Sequence, residues 1–422
     1  MSVKITKQTD KRITLEIEID LDAKSMLNSE ENILTALNEA GKEATKVALK
    51  QFDTDGNRIQ INNKNWSGRS QKKKYETPYG RIELKRYVYQ SSRGGKTYCP
   101  LENDGRIIGQ TTPKFAKQIS SKYGDLSARK VQKDLSENHG RKISRNYIQK
   151  ISERVGTVVK DKESEWVYTL PKEALEAKVI SIGFDGTTSY LVKDGYRETM
   201  SGTIAFFNEK EKRVYTIYVA QMPEYKKGTF KERFEREIIA VKEACPNAHY
   251  TGVADGASDN WSFLNEFTTT STLDFWHAAE YLTPVSKVAH TAPTKQQEWF
   301  NNARHQLRYE KGSAEELLKE MKIFRTKRIN KTKREKLEQS ITYFSNHHHQ
   351  MNYVECVEKG LPIGSGITEA ACKVIVKERL CCSGMMWKEP GAQAVLDIRC
   401  LTHTGERWTD FWKFVDEYGI AN

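Results

Sequence analysis

Long apolar runs, cysteine pairs and a cleavable leader are missing from this sequence, and each absence excludes a class of protein. No stretch of about 18 consecutive apolar residues is present, so we predict no membrane span and no membrane partner. No N-terminal segment of the signal-peptide kind is present either. The seven cysteines form no CxxC pair and lack the spacing of a secreted disulfide framework. We therefore expect free thiols and a cytoplasmic protein.

Positive charge is in excess and is unevenly distributed. Lys and Arg number 68 against 56 Asp and Glu, which gives a net charge of +12 and a pI near 9.1. Residues 114–160 alone hold twelve basic and four acidic residues, a local excess of +8. An excess concentrated in this way favours a nucleic-acid partner. The length of 422 residues predicts several structural units rather than one core.

The first hundred residues read as an accessory region followed by a small hairpin. Residues 12–19 have the pattern of a possible strand, and residues 30–50 have apolar side chains at helical spacing. Residues 56–74 are polar and basic. Residues 80–90 then alternate like a half-buried strand, and SSRGG is expected to turn the chain there.

Residues 126–156 have the pattern of two short helices joined by a turn at Asn138, His139 and Gly140. Ser144 can cap the second helix, because its hydroxyl can accept from a free backbone N–H of the first turn. The polar side chains at the start of that helix would meet DNA if it is a recognition helix. They are Arg145, Asn146, Gln149 and Lys150. A helical hairpin that contacts no nucleic acid is the alternative.

From residue 177 onward the order of elements predicts the fold class. Three strand-like runs are followed by a helix at 230–243, a strand at 249–255, a helix at 261–267 and a short strand at 272–276. Three sequential strands followed by alternating helices and strands are the order of an RNase H-like mixed sheet. Residues 277–352 are helical and highly charged, which indicates an insertion before one last helix.

Three acids occupy positions where this fold would bring them together. Asp185 and Asp255 each follow an apolar strand, and carboxylates at the carboxyl ends of neighbouring parallel strands meet in one crevice. Glu369 follows the small-residue run GSGIT at the start of the last helix. Carboxylate oxygens are the ligands that Mg²⁺ prefers. Taken singly, each aspartate has another interpretation, namely a residue of a turn. The glutamate likewise has another interpretation, namely an acid that interacts favourably with the helix dipole.

Other motifs carry less information. GFDGTT resembles the loop of haloacid dehalogenase-type phosphatases, but Gly183 stands where their nucleophilic aspartate would be. GSGITEAACK lacks the GKS or GKT ending of a phosphate loop. The histidine triplet at 347–349 indicates a solvated face. Asp274 and His277 have two interpretations, either a capping residue with a core histidine, or a site histidine held by an aspartate.

Three runs carry a family resemblance, namely SIGFDGTT, GVADGASDNW and LPIGSGITEAACKVIVKERLCCSGMMWKEPGAQAVLDIRCL. They resemble the bacterial insertion-sequence transposases of the ISKra type, over residues 80–412. More distantly, the chain is similar to Mutator and hAT transposases, which share a D, D, E site on an RNase H-like fold with a helical insertion and a (C or D)xxH motif. Asp274 and His277 match that motif.

The resemblance implies an enzyme that cuts and joins double-stranded DNA at terminal inverted repeats and target DNA, as a homodimer or higher oligomer, in the cytoplasm at the nucleoid. Asp185, Asp255 and Glu369 would bind two Mg²⁺ or Mn²⁺ ions, with Asp185 bridging both. His277 would be a further catalytic residue. The block around the third acid would add DNA contacts at Lys373, Arg379 and Trp387.

The sequence departs from the family pattern at two places, and two alternative functions remain open. Only Cys99 remains where similar proteins carry a CxxC, so we expect no zinc knuckle. Cys381, Cys382 and Met386 replace expected basic residues, which predicts weaker DNA contact at that edge or a different adaptation. The rivals are an RNase H-like nuclease or resolvase without strand transfer, and a domesticated DNA-binding protein that keeps the fold.

These patterns together predict an α+β or mixed α/β chain of six segments: 1–75, an accessory or dimerisation segment; 76–112, a β-hairpin module; 113–170, a helix-turn-helix DNA-binding domain; 171–276, the first part of the RNase H-like core; 277–355, a helical insertion; and 356–422, the last core helix and the C-terminal region.

Overall fold

The chain contains both helices and strands, grouped in runs of one kind, in a computed structural model that describes residues 2–61, 63–91 and 94–420. The mixed α/β class predicted from the sequence is confirmed. The chain divides into two compact units, Met1–Tyr168 with Lys388–Thr402 and Glu406–Asn422, and Thr169–Trp387 with His403–Gly405. Among the described residues, no helix combines the length and the apolar character that a membrane span requires.

The first unit opens with a hairpin and a long helix. Strands β1 (Ser2–Gln8) and β2 (Ile13–Glu18) pair antiparallel, and helix α1 spans Met26–Lys50. Ser25 caps α1, because its hydroxyl accepts from the backbone N–H of Asn28 at 3.2 Å. The sequence pattern predicted the second strand and most of α1, but it did not predict β1.

A four-stranded antiparallel sheet follows, and its hairpin differs from the predicted one. The strands are β3 (Ile59–Ile61), β4 (Lys64–Glu76), β5 (Arg81–Ser91) and β6 (Thr97–Tyr98), in that order across the sheet. The strand at 80–90 therefore pairs mainly with the preceding polar segment, so the predicted boundary at 75/76 is wrong because it cuts through a paired strand. The SSRGG turn includes Ser92 and Arg93, which lie outside the described residues.

Four helices complete this part of the first unit, and two of them match the predicted pair. Gly140 has φ +62° and ends the first of that pair, while the Ser144 hydroxyl accepts from the Tyr147 backbone N–H at 3.2 Å and caps the second. An unpredicted third helix packs against the second of the pair. The four helices are α2 (Pro100–Asp104), α3 (Pro113–Asp125), α4 (Ala128–His139) and α5 (Arg145–Lys162).

The second unit is built on a five-stranded mixed sheet. The spatial order is β11-β10-β7-β8-β9, in which β7, β8 and β9 form an antiparallel meander. Strands β10 and β11 run parallel to β7 on its other side. The strands are β7 (Val179–Leu191), β8 (Gly195–Phe207), β9 (Arg213–Gln221), β10 (His249–Ala254) and β11 (Thr270–Leu273).

Strand β7 is longer than predicted, so Asp185 does not stand at its end. The antiparallel ladder with β8 continues from Asp185 to Leu191, which pairs with Gly195. The parallel ladder with β10, by contrast, has its last pair at Ile182. Asp185 therefore lies at the edge where the sheet narrows from five strands to the antiparallel meander of β7, β8 and β9.

Helices pack on this sheet through a cluster of aromatic rings. Phe184 of β7 lies 5.4 Å from Phe230, 6.0 Å from Phe234 and 5.6 Å from Phe263, between ring centroids, and all four side chains are buried. Burial of these rings fixes the position of β7 relative to the helices that follow it in the sequence. The helices are α6 (Lys172–Leu175), α7 (Gly228–Ala244) and α8 (Ser258–Phe267).

A helical region separates β11 from the last part of this unit, as predicted for residues 277–352. Buried Leu307, Leu337, Ile341 and Phe344 belong to the same core cluster as the sheet, so the region is packed and not a loose extension. Its helices are α9 (Phe275–Glu280), α10 (Leu282–Ala289), α11 (Pro293–Tyr309), α12 (Ser313–Ile323), α13 (Lys331–His347) and α14 (Tyr353–Glu358).

The predicted last core helix contains a π-helical turn. It consists of α15 (Gly366–Ala371), a π-helical segment (Cys372–Lys377) and α16 (Glu378–Leu380). The remaining helices are α17 (Glu389–His403) and α18 (Arg407–Tyr418). The predicted segment 356–422 needs correction, because Lys388–Thr402 and Glu406–Asn422 group with the first unit.

Candidate active site

Three aspartates lie at or just after the ends of the parallel ladders of β7, β10 and β11. Gly252 of β10 pairs with Ile182 of β7, and continuing this register by three residues places Asp255 opposite Asp185. Ala254 pairs with Leu273 of β11, which places Asp274 opposite Asp255. Parallel neighbours stand about 4.8 Å apart, so the three carboxylates line one edge of the sheet.

Asp185 is half-buried and carries an uncompensated charge. Burial raises the pKa of its carboxyl group, and the neighbouring carboxylates of Asp255, Glu198 and Glu369 raise it further. The Gly186 backbone N–H donates to Oδ1 at 2.7 Å and acts in the opposite direction. The electrostatic effect of Asp255 and Glu369 on Asp185 indicates that the three predicted acids lie near one another.

Asp255 is held by the loop that follows β10 and by the start of α8. Its Oδ1 accepts from the Ala257 backbone N–H at 3.1 Å and from the Asn260 amide at 3.2 Å. A Cβ placed on Gly256 would lie 2.9 Å from the Tyr343 ring and 3.0 Å from His347 Nε2. Helix α13 of the insertion thus approaches this loop at Gly256, and glycine is the only residue type that leaves room for the helix. His347 packs against this loop. The prediction that the histidine triplet at 347–349 forms a solvated face is therefore correct only in part.

Asp274 is fully buried, and its carboxylate organises the two segments on either side of the insertion. Oδ1 accepts from the His277 backbone N–H at 2.6 Å and so caps α9. Oδ2 accepts from both the backbone N–H and the hydroxyl of Ser365, the latter at 2.8 Å. The Phe275 backbone N–H also donates to the Ile363 carbonyl at 2.9 Å. Asp274 is therefore a cap and a clamp, and it positions the residues around it.

Glu369 and His277 meet beside this clamp. His277 Nε2 lies 3.5 Å from Glu369 Oε1, and Ser365 Oγ lies 3.0 Å from the same oxygen, so its single proton can be donated either to Glu369 or to Asp274. The side chains of His277 and Glu369 are 45% and 51% exposed, so both are open to a substrate. His277 is not a core histidine, and the interpretation in which it belongs to the site agrees with this geometry.

Gly183 lets the helix that carries Glu369 reach the sheet. A Cβ placed on Gly183 would lie 2.7 Å from Thr368 Oγ1 and 2.7 Å from the Val253 carbonyl oxygen. Thr368 is buried, and its hydroxyl hydrogen-bonds to that of Thr203 at 2.9 Å. Gly183, which stands where a phosphatase would have its nucleophilic aspartate, therefore has a structural role in this chain. It lets α15 pack closely on β7, because any side chain at this position would push the helix off the strand.

The π-helical turn begins where this helix passes Asp185. The Cys372 thiol lies 3.9 Å from Asp185 Oδ2 and 3.7 Å from its carbonyl oxygen. Burial and then the charge of Asp185 raise the pKa of Cys372 to about 12, so the group is a protonated thiol that can donate to the carboxylate. π-Helical turns are rare and are frequent at functional sites. The sequence analysis did not single out Cys372.

Two further residues at the site were missed. Ser365 bridges Asp274 and Glu369, yet in the sequence it is one small residue of GSGIT. Trp276 is 55% exposed although it is fixed from two sides. Its ring lies 5.2 Å from Phe275, and a Cβ placed on Gly364 would lie 3.2 Å from Trp276 Cδ1. The sequence run DFWH could not reveal an exposed indole with packing partners, because one of those partners, Gly364, comes from the distant loop.

The carboxylates share an edge but do not form an assembled ligand set. Among the described residues, no group of three His, Cys, Asp or Glu side chains is placed to hold a metal ion. Within the same part of the chain, no lysine or arginine forms an ion pair with Asp185, Asp255 or Glu369, and His277 is the only basic side chain paired with them. The negative charge at this edge is thus not balanced by protein cations.

The predicted DNA-contacting residues fall into two groups. The predicted set on α5 has exposed side chains, and Lys373 is exposed as well. Arg379 and Trp387 are only 2% and 8% exposed, and the guanidinium carbon lies 4.7 Å from the indole centroid. Their predicted DNA contact needs correction to a packing role, because both side chains are covered. The exposed α5 residues are Arg145, Asn146, Gln149 and Lys150.

Neither the known protein families nor the curated proteins supply a match for this chain.

Proposed function

We propose that the chain is a DNA transposase whose second unit is an RNase H-like catalytic core. The observation that carries the proposal is the placement of Asp185, Asp255 and Glu369 at one edge of a mixed sheet. The strand order, with an antiparallel meander followed by two strands parallel to the first, is the order expected for that core. The insertion between β11 and α15 and the DxxH match at Asp274 and His277 add support from the sequence resemblance.

Divalent metal ions fit this set of side chains. Buried or crowded carboxylates need paired cations or a metal, and the described residues supply no lysine or arginine here. Asp185, Asp255 and Glu369 would hold Mg²⁺ or Mn²⁺, with the half-exposed Glu369 side chain turning from Ser365 to complete the set. Such ions activate the attacking hydroxyl and stabilise the leaving oxygen in phosphoryl transfer.

The neighbouring side chains have positioning roles in this proposal. Asp274 holds the backbone of His277 and the Ser365 loop, and so sets the distance between His277 and Glu369. His277, whose side chain is 45% exposed, would contact a DNA phosphate. Trp276 presents an indole face beside the acids, and a nucleobase near the scissile phosphate can stack on such a face.

Helices α4 and α5 are proposed as the helix-turn-helix that binds the terminal repeats. The exposed start of α5 presents Arg145, Asn146, Gln149 and Lys150, which combine phosphate-binding and base-reading side chains. Cutting and joining two transposon ends requires at least two active sites, so we propose a homodimer or higher oligomer that works on DNA at the nucleoid.

Isosteric substitution of each acid tests the proposal. Asp185→Asn, Asp255→Asn and Glu369→Gln should each reduce Mg²⁺-dependent strand cleavage by about 1,000-fold or more, with losses that do not add. Repeat binding and melting temperature should stay near wild-type values. Asp194→Asn is the matched control, because Asp194 is exposed in the β7–β8 turn. Wild-type cleavage by Glu369→Gln would remove Glu369 from the site.

A product gel separates the rivals, once inverted repeats have been identified in the DNA that flanks the gene. Joined strands support a transposase. Cleavage without joining supports a nuclease or resolvase, and repeat binding without either reaction supports a DNA-binding protein that keeps the fold. Absence of all three activities in protein with a cooperative melting transition would overturn the proposal.

A further inference from the structure

Strands β4 and β5 form a long two-stranded ribbon with few partners. Eleven residue pairs join them, from Trp66 with Ser91 to Glu76 with Arg81, which gives a length of about 35 Å. β3 and β6 pair only with the end that contains Trp66 and Ser91. At the other end Glu76 forms a bridge with Thr111. Between these two ends, no described strand pairs with either edge of the ribbon.

The ribbon is strongly basic. Residues 64–91 contain eight basic and two acidic residues, a local excess of +6. One face buries Ile82, Leu84 and Val88, so this face belongs to the protein interior. The opposite face carries Lys72, Lys74, Arg81 and Lys85, and all four side chains are exposed.

The charges on the outer face are only partly balanced. Glu76 pairs with Arg81 at 2.5 Å, and Glu83 lies opposite Lys74 at 3.9 Å. The next pair along this face, beyond Lys74 and Glu83, is Lys72 with Lys85, which stand directly opposite each other. Like charges at directly opposed positions destabilise a sheet, since the Cβ atoms are about 5 Å apart. The sequence thus keeps a pair that costs stability on an exposed surface, where almost any polar residue would fit.

We propose that this face of the β4–β5 ribbon binds the backbone of double-stranded DNA, with Lys72 and Lys85 contacting phosphates. The inference rests on the proposed DNA-binding function and adds a second contact surface to the helices α4 and α5. A two-stranded ribbon fits the major groove of B-form DNA, which is about 12 Å wide, whereas the major groove of A-form RNA is too narrow. Duplex DNA is therefore the occupant.

A simpler role for the lysines makes a different prediction. Charged side chains on unpaired strands prevent edge-to-edge association of sheets. That role needs charge but not positive charge, so Lys72→Glu would preserve it. DNA binding needs positive charge, so Lys72→Glu would abolish that contact. The sign of the charge separates the two roles.

Lys72→Glu should change stability and DNA affinity in opposite directions. It converts a repulsive cross-strand pair into an attractive one, so the melting temperature should rise by about 1–3 °C. Affinity for a random-sequence DNA duplex, measured in EDTA by fluorescence anisotropy, should fall by about fivefold to tenfold at 0.1 M salt. The plot of log affinity against log salt should become shallower by about one contact for Lys72→Glu and by about two for Lys72→Glu with Lys85→Glu.

Lys210→Glu is the matched control, because Lys210 is exposed in the β8–β9 turn and gives the same change in net charge. It should leave the salt slope unchanged. Equal affinities for Lys72→Glu and Lys210→Glu would overturn the inference, as would tighter binding of duplex RNA than of duplex DNA by the wild type. If Lys72→Glu lowers the melting temperature, the neutral variant Lys72→Gln replaces it in the affinity measurement. Unchanged DNA affinity of Lys72→Gln would also overturn the inference. A wild-type protein that binds no DNA would contradict the proposed function itself.

Discussion

Replacing Gly183 by alanine would test whether the close contact between β7 and α15 controls the active site. The added Cβ would lie 2.7 Å from the Val253 carbonyl oxygen and 2.7 Å from Thr368 Oγ1. The first atom is backbone of the neighbouring strand, and the second belongs to a buried hydroxyl that is bonded to Thr203 at 2.9 Å. Neither atom is the free end of a flexible side chain. The helix α15 or the strand β10 must therefore move.

The size of the effect follows from these distances. An ordinary contact between carbon and oxygen is about 3.4 Å, so α15 or β10 must shift by about 0.7 Å, and overpacking of this kind costs about 1–3 kcal/mol. Glu369 lies one residue after Thr368, so its carboxylate moves with the helix. Misplacement of about 1 Å at a catalytic group can reduce the rate by about 100-fold. Gly183→Ala should lose far more activity than its loss of stability alone explains.

Thermal denaturation and Mg²⁺-dependent cleavage at a temperature well below the melting transition would measure the two effects separately. Gly366→Ala is the matched control, because Gly366 begins the same helix and no atom lies within 4 Å of its added Cβ. This control should be neutral or stabilising by up to about 1 kcal/mol. Adding Thr368→Ala to Gly183→Ala should restore part of the activity, since one of the two contacts is removed. A Gly183→Ala protein with wild-type stability and cleavage would refute the reasoning.

Two further substitutions test the neighbours of the acids and the DNA-binding helices. His277→Ala should lower cleavage much more than it lowers the melting temperature, because the imidazole is 45% exposed and fills no cavity; a large fall in melting temperature with normal specific activity would restore the core-histidine interpretation. Arg145→Ala combined with Lys150→Ala should weaken binding of repeat DNA and reduce its salt slope by about two, while Lys210→Ala should not; an unchanged slope would remove α5 from the interface.

Local patterns predicted the elements that carry strong periodicity or caps. The five strands of the second unit were predicted in order because their apolar runs are bounded by turns, and the Ser144 cap and the Gly140 turn were predicted from residue type. Strand β4 was missed, since its side chains are mostly polar and its stability comes from the ladder with β5. A short stretch of sequence around β4 does not contain the information that this segment pairs with β5.

The site was predicted less completely than the fold, for a related reason. The acids could be chosen because a carboxylate after an apolar strand is a local signal, whereas the role of Ser365 depends on partners 91 residues away and that of Cys372 on partners 187 residues away. Arg379 and Trp387 were assigned to DNA because basic and aromatic side chains are typical of such surfaces. Their mutual stacking in the interior satisfies the same residue types without any ligand.

The three aspartates at one edge of the sheet illustrate how burial and donors separate a scaffold residue from a site residue. Asp274 is fully buried and accepts three hydrogen bonds from two segments, so its charge is satisfied within the protein. Asp255 accepts two bonds at one oxygen, from the loop after it and from α8. Asp185 accepts one backbone N–H besides a weak thiol donor, although it is half-buried beside other acids. A buried carboxylate with few donors is unfavourable unless a cation completes it. Position at the end of a strand therefore made all three candidates. The number of donors separates Asp274, which acts as a clamp, from Asp185, which keeps the role of cation ligand in the proposed function.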